Sequence, residues 1–280
     1  MTDIFDFGPR RSLYAVFGNP IGHSKSPMVH NLFAQQFDIA LEYRAVHVDI
    51  GGFEQAVSGF YAGGGQGLNV TVPFKLNAWK LADELSDRAR LAGAVNTLSL
   101  GDTISGDNTD GIGLVTDIQH NLGVSMDAAR ILIVGAGGAA RGVAGEILSA
   151  KPEHLFVANR TKDKAIDLVR QFSEIGPISG GGLDDIPSHS YEIVINATSS
   201  GLTHDAPDLP SGTFTNACLA YDMMYGRAQT QFQKLAKQCG AKLTSDGLGM
   251  LVEQAAESFF IWHRKRPETA AVIAAVREAL

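Results

Sequence analysis

The chain has 280 residues, 45% of them hydrophobic and 19% charged, with a net charge of −7. That length suits one large domain or two ordinary ones, and the composition excludes a disordered chain. The negative charge argues against non-specific nucleic-acid binding and against docking on an anionic membrane, and no apolar run approaches the ~20 residues of a membrane helix.

The opening "MTDIFDFGPRRS" carries two aspartates and no apolar core, so it does not read as a secretory signal. The first predicted strand is "YAVFG", followed by "NPIGHSKSPMVH" and a helix from Pro27 to Phe37. Ser26 can cap that helix, which leaves Ser24 unexplained. Two hydroxyls beside a helix N-terminus equally suit a carboxylate, because free N–H groups and the helix dipole favour an anion. "YRAVHVD" is the next strand and Phe53 to Tyr61 the next helix; the loop "AGGGQG" then leads into the strand "LNVTV".

Strand geometry puts Asn69 and Thr71 on one face and Leu68, Val70 and Val72 on the other. A sheet covered on both faces should be apolar on both, so the two polar residues need partners or a wet cleft. Pro73 to Leu85 is predicted as a helix, with proline at its first position. Lys75 then lies past the strand's C-terminal end, where open α/β sheets bind ligands, although most lysines are simply solvated. "VNTLSL" and "DTISGD" form a predicted hairpin turning at Gly101-Asp102, with Asn96 as a polar residue in an apolar strand. Asp110 in "GDNTDG" precedes a helical segment from Ile112 to Asn121. It can be an N-cap, or, brought to Lys75 in a cleft, it can share protons with a substrate hydroxyl.

A second α/β series starts at "ILIVGAGGAARG". Residues Gly135, Ala136, Gly137, Gly138, Ala139 and Ala140 make a GxGxxA dinucleotide fingerprint between a strand and a helix. Gly135 permits the turn, Gly137 admits a pyrophosphate, and the helix N-terminus stabilises the anion. The next strand, Leu155 to Ala158, ends in Asn159, Arg160 and Thr161 rather than the Asp or Glu that bonds the ribose 2′-hydroxyl of NAD. Arginine and a hydroxyl there favour the 2′-phosphate of NADP. The strand Ile193 to Asn196 runs into "NATSSG", where Thr198 and Gly201 either border the cofactor or form a hydrogen-bonded turn. Leu219 to Asp222 is the fourth strand of this series.

Cys218 and Cys239 form neither a CxxC motif nor a zinc cluster, and the eight histidines show no HExxH; a reducing cytoplasm and no metal site are expected. A long helix from Met250 to Arg264 and another after Pro267 close the chain. Gly247, Met250 and Gln254 are spaced i, i+3 and i+7 and share one face. Gln254 there either bonds a polyhydroxylated ligand or lies at a helix edge. The alternation of short apolar runs with helices predicts an α/β fold with a mainly parallel sheet.

Taken in order, "FGNPIGHSKSP", "NVTVPFK", "AGAVNTL", "NTDG", "GAGGAARG", "NRT", "YDMMYG" and "DGLGMLVEQAA" resemble the shikimate dehydrogenase family over nearly the whole chain. The resemblance implies two domains. Residues 1–110 and 246–280 would form a substrate-binding α/β domain to which the C-terminal helices return, and 111–245 a Rossmann-like NADP domain. It implies that Ser24 and Ser26 hold a carboxylate, that Asn69, Thr71, Asn96, Asp110 and Gln254 contact ring hydroxyls, and that Tyr225 lies near substrate and nicotinamide. Lys75 would be the catalytic lysine, paired with Asp110. The loop 135–139, Asn159, Arg160, Thr161, Thr198, Met223, Gly247 and Met250 would serve the cofactor.

The implied activity is reversible, NADPH-dependent reduction of 3-dehydroshikimate to shikimate by a cytoplasmic monomer or homodimer, without metal. A quinate/shikimate dehydrogenase of the same family is the alternative within the fold. A non-catalytic NADP-binding regulator is the alternative from another class.

Overall fold

In the computed structural model, the described residues are 12–188, 191–198, 207, 209–210, 212–214 and 219–280. They build two six-stranded sheets. The first contains β1 (Ser12–Gly18), β2 (Leu41–His47), β3 (Gly65–Val70), β4 (Glu84–Leu85), β5 (Thr97–Ser99) and β6 (Ser105–Asp107). Its order is β2-β1-β3-β5-β6-β4. Strand β1 runs parallel to both β2 and β3, and β5 runs antiparallel to β3 and β6, as the hairpin at Gly101-Asp102 required. Helices α1 (Ser26–Gln35), α2 (Phe53–Ala62), α3 (Lys75–Leu81) and α4 (Asp87–Ala92) accompany it.

Pro73 does not start α3. It lies in a turn in which the Phe74 N–H bonds the Thr71 carbonyl at 3.0 Å, and helical bonding begins one residue later. The helix stops at Leu81 because Asp83 and Glu84 turn their N–H groups to the Ile104 carbonyl. The predicted helix to Leu85 is therefore a shorter helix followed by the short strand β4.

Helix α5 (Asp110–Thr116) leads from the first sheet and passes into a single π-helical turn, Asp117–Asn121. The second sheet follows: β7 (Arg130–Val134), β8 (His154–Ala158), β9 (Ile178–Gly181), β10 (Ile193–Asn196), β11 (Leu219–Asp222) and β12 (Leu243–Asp246), all parallel in the order β12-β11-β10-β7-β8-β9. Helices α6 (Gly138–Ser149), α7 (Lys162–Phe172) and α8 (Gln231–Gln238) flank it. The chain then returns to the first sheet with α9 (Leu248–His263) and α10 (Ala270–Glu278).

Strand alternation explains the layers. In β7, Ile131 and Ile133 pack with α6 and α7 residues, while Leu132 and Val134 pack with Phe232 and Ala236 of α8. In the first sheet, Ala15, Phe17, Leu68 and Val70 form one core. Tyr14, Val16 and Tyr43 face the opposite side, over which α1 and α9 bring Val29, Phe33, Val252 and Phe259. Each of the buried valine, leucine, isoleucine and phenylalanine side chains contributes ~1.5–3 kcal/mol on burial.

One buried polar group stands out in that second core. His30 of α1 is 1% exposed and stacks on Tyr43 with ring centroids 4.2 Å apart. The Asn69 amide lies near, but neither imidazole nitrogen meets a partner in bonding geometry. Burial, helped by His263, lowers the His30 pKa to about 3. The unfolded chain takes up a proton near 6.5, so the stability His30 contributes is complete above that pH. It drains away as pH falls from 6.5 towards 3. Between pH 7.5 and 5 the native protein should lose ~2 kcal/mol through this group. Urea unfolding at both pH values should show that loss shrinking by a similar amount in His30→Phe; an unchanged difference would refute it.

Candidate active site

A cleft of about 410 Å³ lies beyond the C-terminal ends of β1 and β3, facing α9 and the segment after β11. Every residue expected on the substrate side lines it: Ser24, Ser26, Asn69, Thr71, Lys75, Asn96, Asp110, Tyr225 and Gln254. Met223, Gly247 and Met250, expected on the cofactor side, also line it. His23 and Leu251, which carried no signal in the sequence, line it as well.

Lys75 and Asp110 arrive from different elements and meet. Lys75 is the first residue of α3, and its carbonyl accepts the Val95 N–H at 3.0 Å, which ties it to the segment leading to Asn96. Asp110 sits in the first turn of α5 and is not the N-cap; Thr109 takes that position. Its N–H donates to Asn108 Oδ1 at 3.1 Å. The Lys75 ammonium donates to Asp110 Oδ2 in a short contact, and Asn96 Nδ2 donates to Asp110 Oδ1 at 2.8 Å. The side chains are 28% and 11% exposed, so the pair is largely shielded while the lysine still reaches the cleft. An ammonium has three donors, and this bond uses one. A lysine held on a carboxylate beside a cleft can pass a proton to a bound oxygen.

Strand β3 ends at Val70, so Thr71 lies beyond it on the cleft, while Asn69 finds the partners it needed. Asn69 Oδ1 accepts from the Tyr43 hydroxyl at 2.7 Å. Its Nδ2 donates to the Asn96 carbonyl, Thr97 Oγ1 and Ser258 Oγ, at 3.1, 3.1 and 2.9 Å. The Asn69 amide is therefore committed to the protein, with one Oδ1 lone pair left for a ligand. Ser258 is fully buried, lies one helical turn past Gln254 and also meets Thr97 Oγ1 at 2.8 Å. The spacing i, i+4 from Gln254 was the signal that could have found it. Gln254 Nε2 donates to the Leu251 carbonyl at 2.8 Å, and its Oε1 accepts from Asn96 Nδ2 at 3.3 Å.

Ser26 does not cap α1. Lys25 occupies the N-cap position, and Ser24 Oγ accepts the Ser26 N–H at 3.3 Å. Among the described residues, neither serine hydroxyl donates a hydrogen bond. Both therefore remain as donors beside a helix N-terminus that opens on the cleft. Tyr225 comes from the segment after β11; burial raises its phenol pKa.

The glycine-rich loop joins β7 to α6 as the fingerprint required. Gly135 adopts φ +111°, a conformation that L side chains rarely take, and its N–H bonds the Ala158 carbonyl at 2.7 Å. Gly137 is the N-cap of the 12-residue α6, and space is open around Gly137 and Gly138. Asn159 Oδ1 accepts the Ala136 N–H at 3.1 Å and its Nδ2 donates to the Thr161 carbonyl at 2.8 Å, so Asn159 braces the loop. Arg160 is exposed and enters no ion pair among the described residues. Free N–H groups at a helix start, with a neighbouring arginine, fit a dinucleotide that carries an extra phosphate.

Thr198 donates from its N–H and its hydroxyl to Asn196 Oδ1, at 3.2 and 2.7 Å, and so forms the hydrogen-bonded turn. Its methyl stands close to Gly135, so the turn abuts the loop. Gly201 lies outside the described residues.

Three family models match the chain: the shikimate dehydrogenase substrate binding domain over residues 16–98, shikimate / quinate 5-dehydrogenase over 117–204, and the shikimate 5′-dehydrogenase C-terminal domain over 247–277. A shikimate dehydrogenase (NADP(+)) of Dechloromonas aromatica is 53% identical over 269 residues, covering 96% of this chain and 98% of that protein. Among solved structures, an Ael1 enzyme from Pseudomonas putida superposes with a TM-score of 0.90 at 45% identity, covering 94% of this chain and 97% of that one. Shikimate 5-dehydrogenase from Thermus thermophilus, in complex with NADP(H) and shikimate, gives a TM-score of 0.86 at 30% identity over 96% of this chain and 100% of that one.

Proposed function

The chain belongs to the shikimate dehydrogenase family, and from that premise we propose how its own residues carry the reaction. The activity is NADP-dependent oxidoreduction at a CH–OH group, interconverting 3-dehydroshikimate and shikimate on the route to chorismate and the aromatic amino acids. The single observation that carries the assignment of roles is the Lys75–Asp110 pair, shielded in the cleft between the two sheets and oriented by Asn96.

NADP, when bound, supplies the hydride acceptor at its nicotinamide. The loop 135–139 and the N-terminus of α6 would hold its pyrophosphate, with Arg160 and Thr161 at the 2′-phosphate and Thr198 beside the loop. Met223, Gly247 and Met250 would form the wall nearest the nicotinamide. In oxidation, Lys75 in its neutral amine form takes the proton of the C3 hydroxyl as the C3 hydrogen departs as hydride, and so becomes the ammonium. In reduction it returns that proton to the forming alkoxide. Asp110 keeps the ammonium and the substrate oxygen in line, so the proton has a short path in either direction.

The free hydroxyls of Ser24 and Ser26 fit the substrate carboxylate at the α1 N-terminus. Thr71, Asn96 and Gln254 fit the ring hydroxyls, with the remaining Oδ1 lone pair of Asn69 below them. Tyr225 closes the side towards the nicotinamide. Residues 1–110 and 246–280 act as the substrate half and 111–245 as the cofactor half. The protein works in the cytoplasm as a monomer or homodimer.

Nicotinamide absorbance, followed with shikimate or quinate and NADP or NAD, tests the reading. Turnover of shikimate with NADP should exceed every other pairing. A preference for quinate with NAD would overturn it, and so would a folded protein inert with all four pairings.

A further inference from the structure

The π-helical turn at the end of α5 does something that an α-helix in its place would not. Its Leu122 N–H bonds the Asp117 carbonyl at 3.0 Å, five residues back. Single π turns inside helices mark functional positions more often than chance. Here the turn sets two side chains, Asp117 and Asn121, against α9 and the second sheet. Asp117 is 3% exposed. Its Oδ2 accepts the Tyr221 hydroxyl at 2.6 Å, from the middle of β11. Asn121 Nδ2 donates to Asp117 Oδ1 and to Glu253 Oε1 of α9, at 2.9 Å each.

Gly249 of α9 is what allows this approach. A Cβ there would stand 1.9 Å from Asp117 Oδ1, too close for any side chain. Burial pushes the Asp117 carboxyl up, while the Tyr221 and Asn121 bonds hold it down. The fully buried Tyr221 hydroxyl shares that carboxylate, so the two groups satisfy each other in a dry place.

The position of this bond gives it a function. Helix α5 carries Asp110 at one end and Asp117 at the other, two turns apart. It packs against both α9 and α6, the helix that begins at the phosphate loop. Asp110 can sit correctly on Lys75 and still be misplaced relative to the cofactor, because those two partners belong to different sheets. A contact between α5 and β11 removes that freedom.

We propose that Asp117 is a positioning residue, whose bond to Tyr221 fixes α5, and Asp110 with it, against the cofactor sheet. The inference rests on the roles given above to Lys75 and Asp110. Hydride transfer is steeply sensitive to alignment, and a displacement of 1 Å costs ~10²-fold. A slackened strut should therefore slow the chemical step while leaving both binding sites intact.

Tyr221→Phe deletes only the hydroxyl. We expect kcat to fall ~10-fold with both KM values within about twofold, because neither ligand site is touched. The primary deuterium isotope effect on kcat, with NADPH deuterated at the transferred position, should rise as hydride transfer becomes limiting. In the ligand-free protein, amide hydrogen exchange along α5 should quicken, and NADPH affinity measured by fluorescence should stay constant.

A kcat for Tyr221→Phe within twofold of the parent would overturn the proposal, as would a loss confined to KM or an unchanged isotope effect on kcat. Asp117→Ala carries the same criteria if Tyr221→Phe does not fold. An unmodified protein inert with shikimate would instead overturn the activity on which the proposal rests.

Discussion

Lys75→Ala should lower kcat by ~10²–10⁴-fold, the range that a positioned proton donor contributes. The same variant should bind shikimate and NADP nearly as well as the parent. The geometry separates the two effects. The lysine meets Asp110 through one bond and, Asp110 apart, the contacts expected for the substrate come from side chains that do not touch the ammonium. Asp110 keeps the Asn96 amide at 2.8 Å after the substitution, so the carboxylate is not left unpartnered and the fold should persist. Steady-state kinetics, combined with calorimetric binding of shikimate, checks both halves. A kcat within tenfold of the parent would remove Lys75 from the mechanism. Retained binding with abolished turnover would also set aside a regulatory NADP-binding protein, for which a proton donor has no use.

Arg160→Ala has the next largest expected effect, on cofactor choice. A charge-assisted hydrogen bond contributes ~1.5–3 kcal/mol, and each 1.4 kcal/mol is about a tenfold change in affinity. Losing the contact with the 2′-phosphate should lower kcat/KM for NADP ~10–100-fold while altering that for NAD by less than about threefold. Because Arg160 is exposed, the contrast should narrow as salt is raised. Asn159 is not interchangeable with it, since its amide braces the glycine loop through the Ala136 N–H and should affect both cofactors alike. Equal losses for NADP and NAD in Arg160→Ala would show that the guanidinium does not read the phosphate.

The parts legible in the sequence were those where local chemistry and tertiary structure agree. Ile131 to Val134, Leu155 to Ala158, Ile193 to Asn196 and Leu219 to Asp222 are buried strands in the middle of the parallel sheet, and their apolar runs announced them. The two edge strands of that sheet were not legible. Ile178–Gly181 has two glycines and Leu243–Asp246 has three polar residues, and an edge position demands little apolar surface.

Pro73 misled because proline suits a turn as well as a first helical position, and only the Phe74–Thr71 bond decides between them. In the site, most polar residues facing the cleft were found, His23 excepted, and those behind them were not. Ser258 and Tyr43 act by fixing the Asn69 amide, a role set by contacts across 189 and 26 residues of chain. The i, i+4 spacing from Gln254 marks the position of Ser258, but no short window encodes its contact with Asn69. The π turn was invisible for the same reason: its Asp117 meets Tyr221 and lies against Gly249, both more than 100 residues away in the chain.

The late return of α9 to the first sheet bears on how the molecule is made. Phe33 and Phe259 pack edge to face with centroids 5.7 Å apart, yet 226 residues of chain separate them. At translation speeds of ~5–20 residues per second, the apolar face of α1 waits roughly 10–45 s for its cover, while the second sheet can already fold as a unit. Ser258 belongs to the same late segment, so the Asn69 amide also gains that partner late. The nascent enzyme thus passes through a stage in which five strands of the second sheet, up to β11, are made while the first sheet still lacks its cover. That stage is where chaperone dependence and aggregation losses would concentrate, well away from any residue that touches substrate.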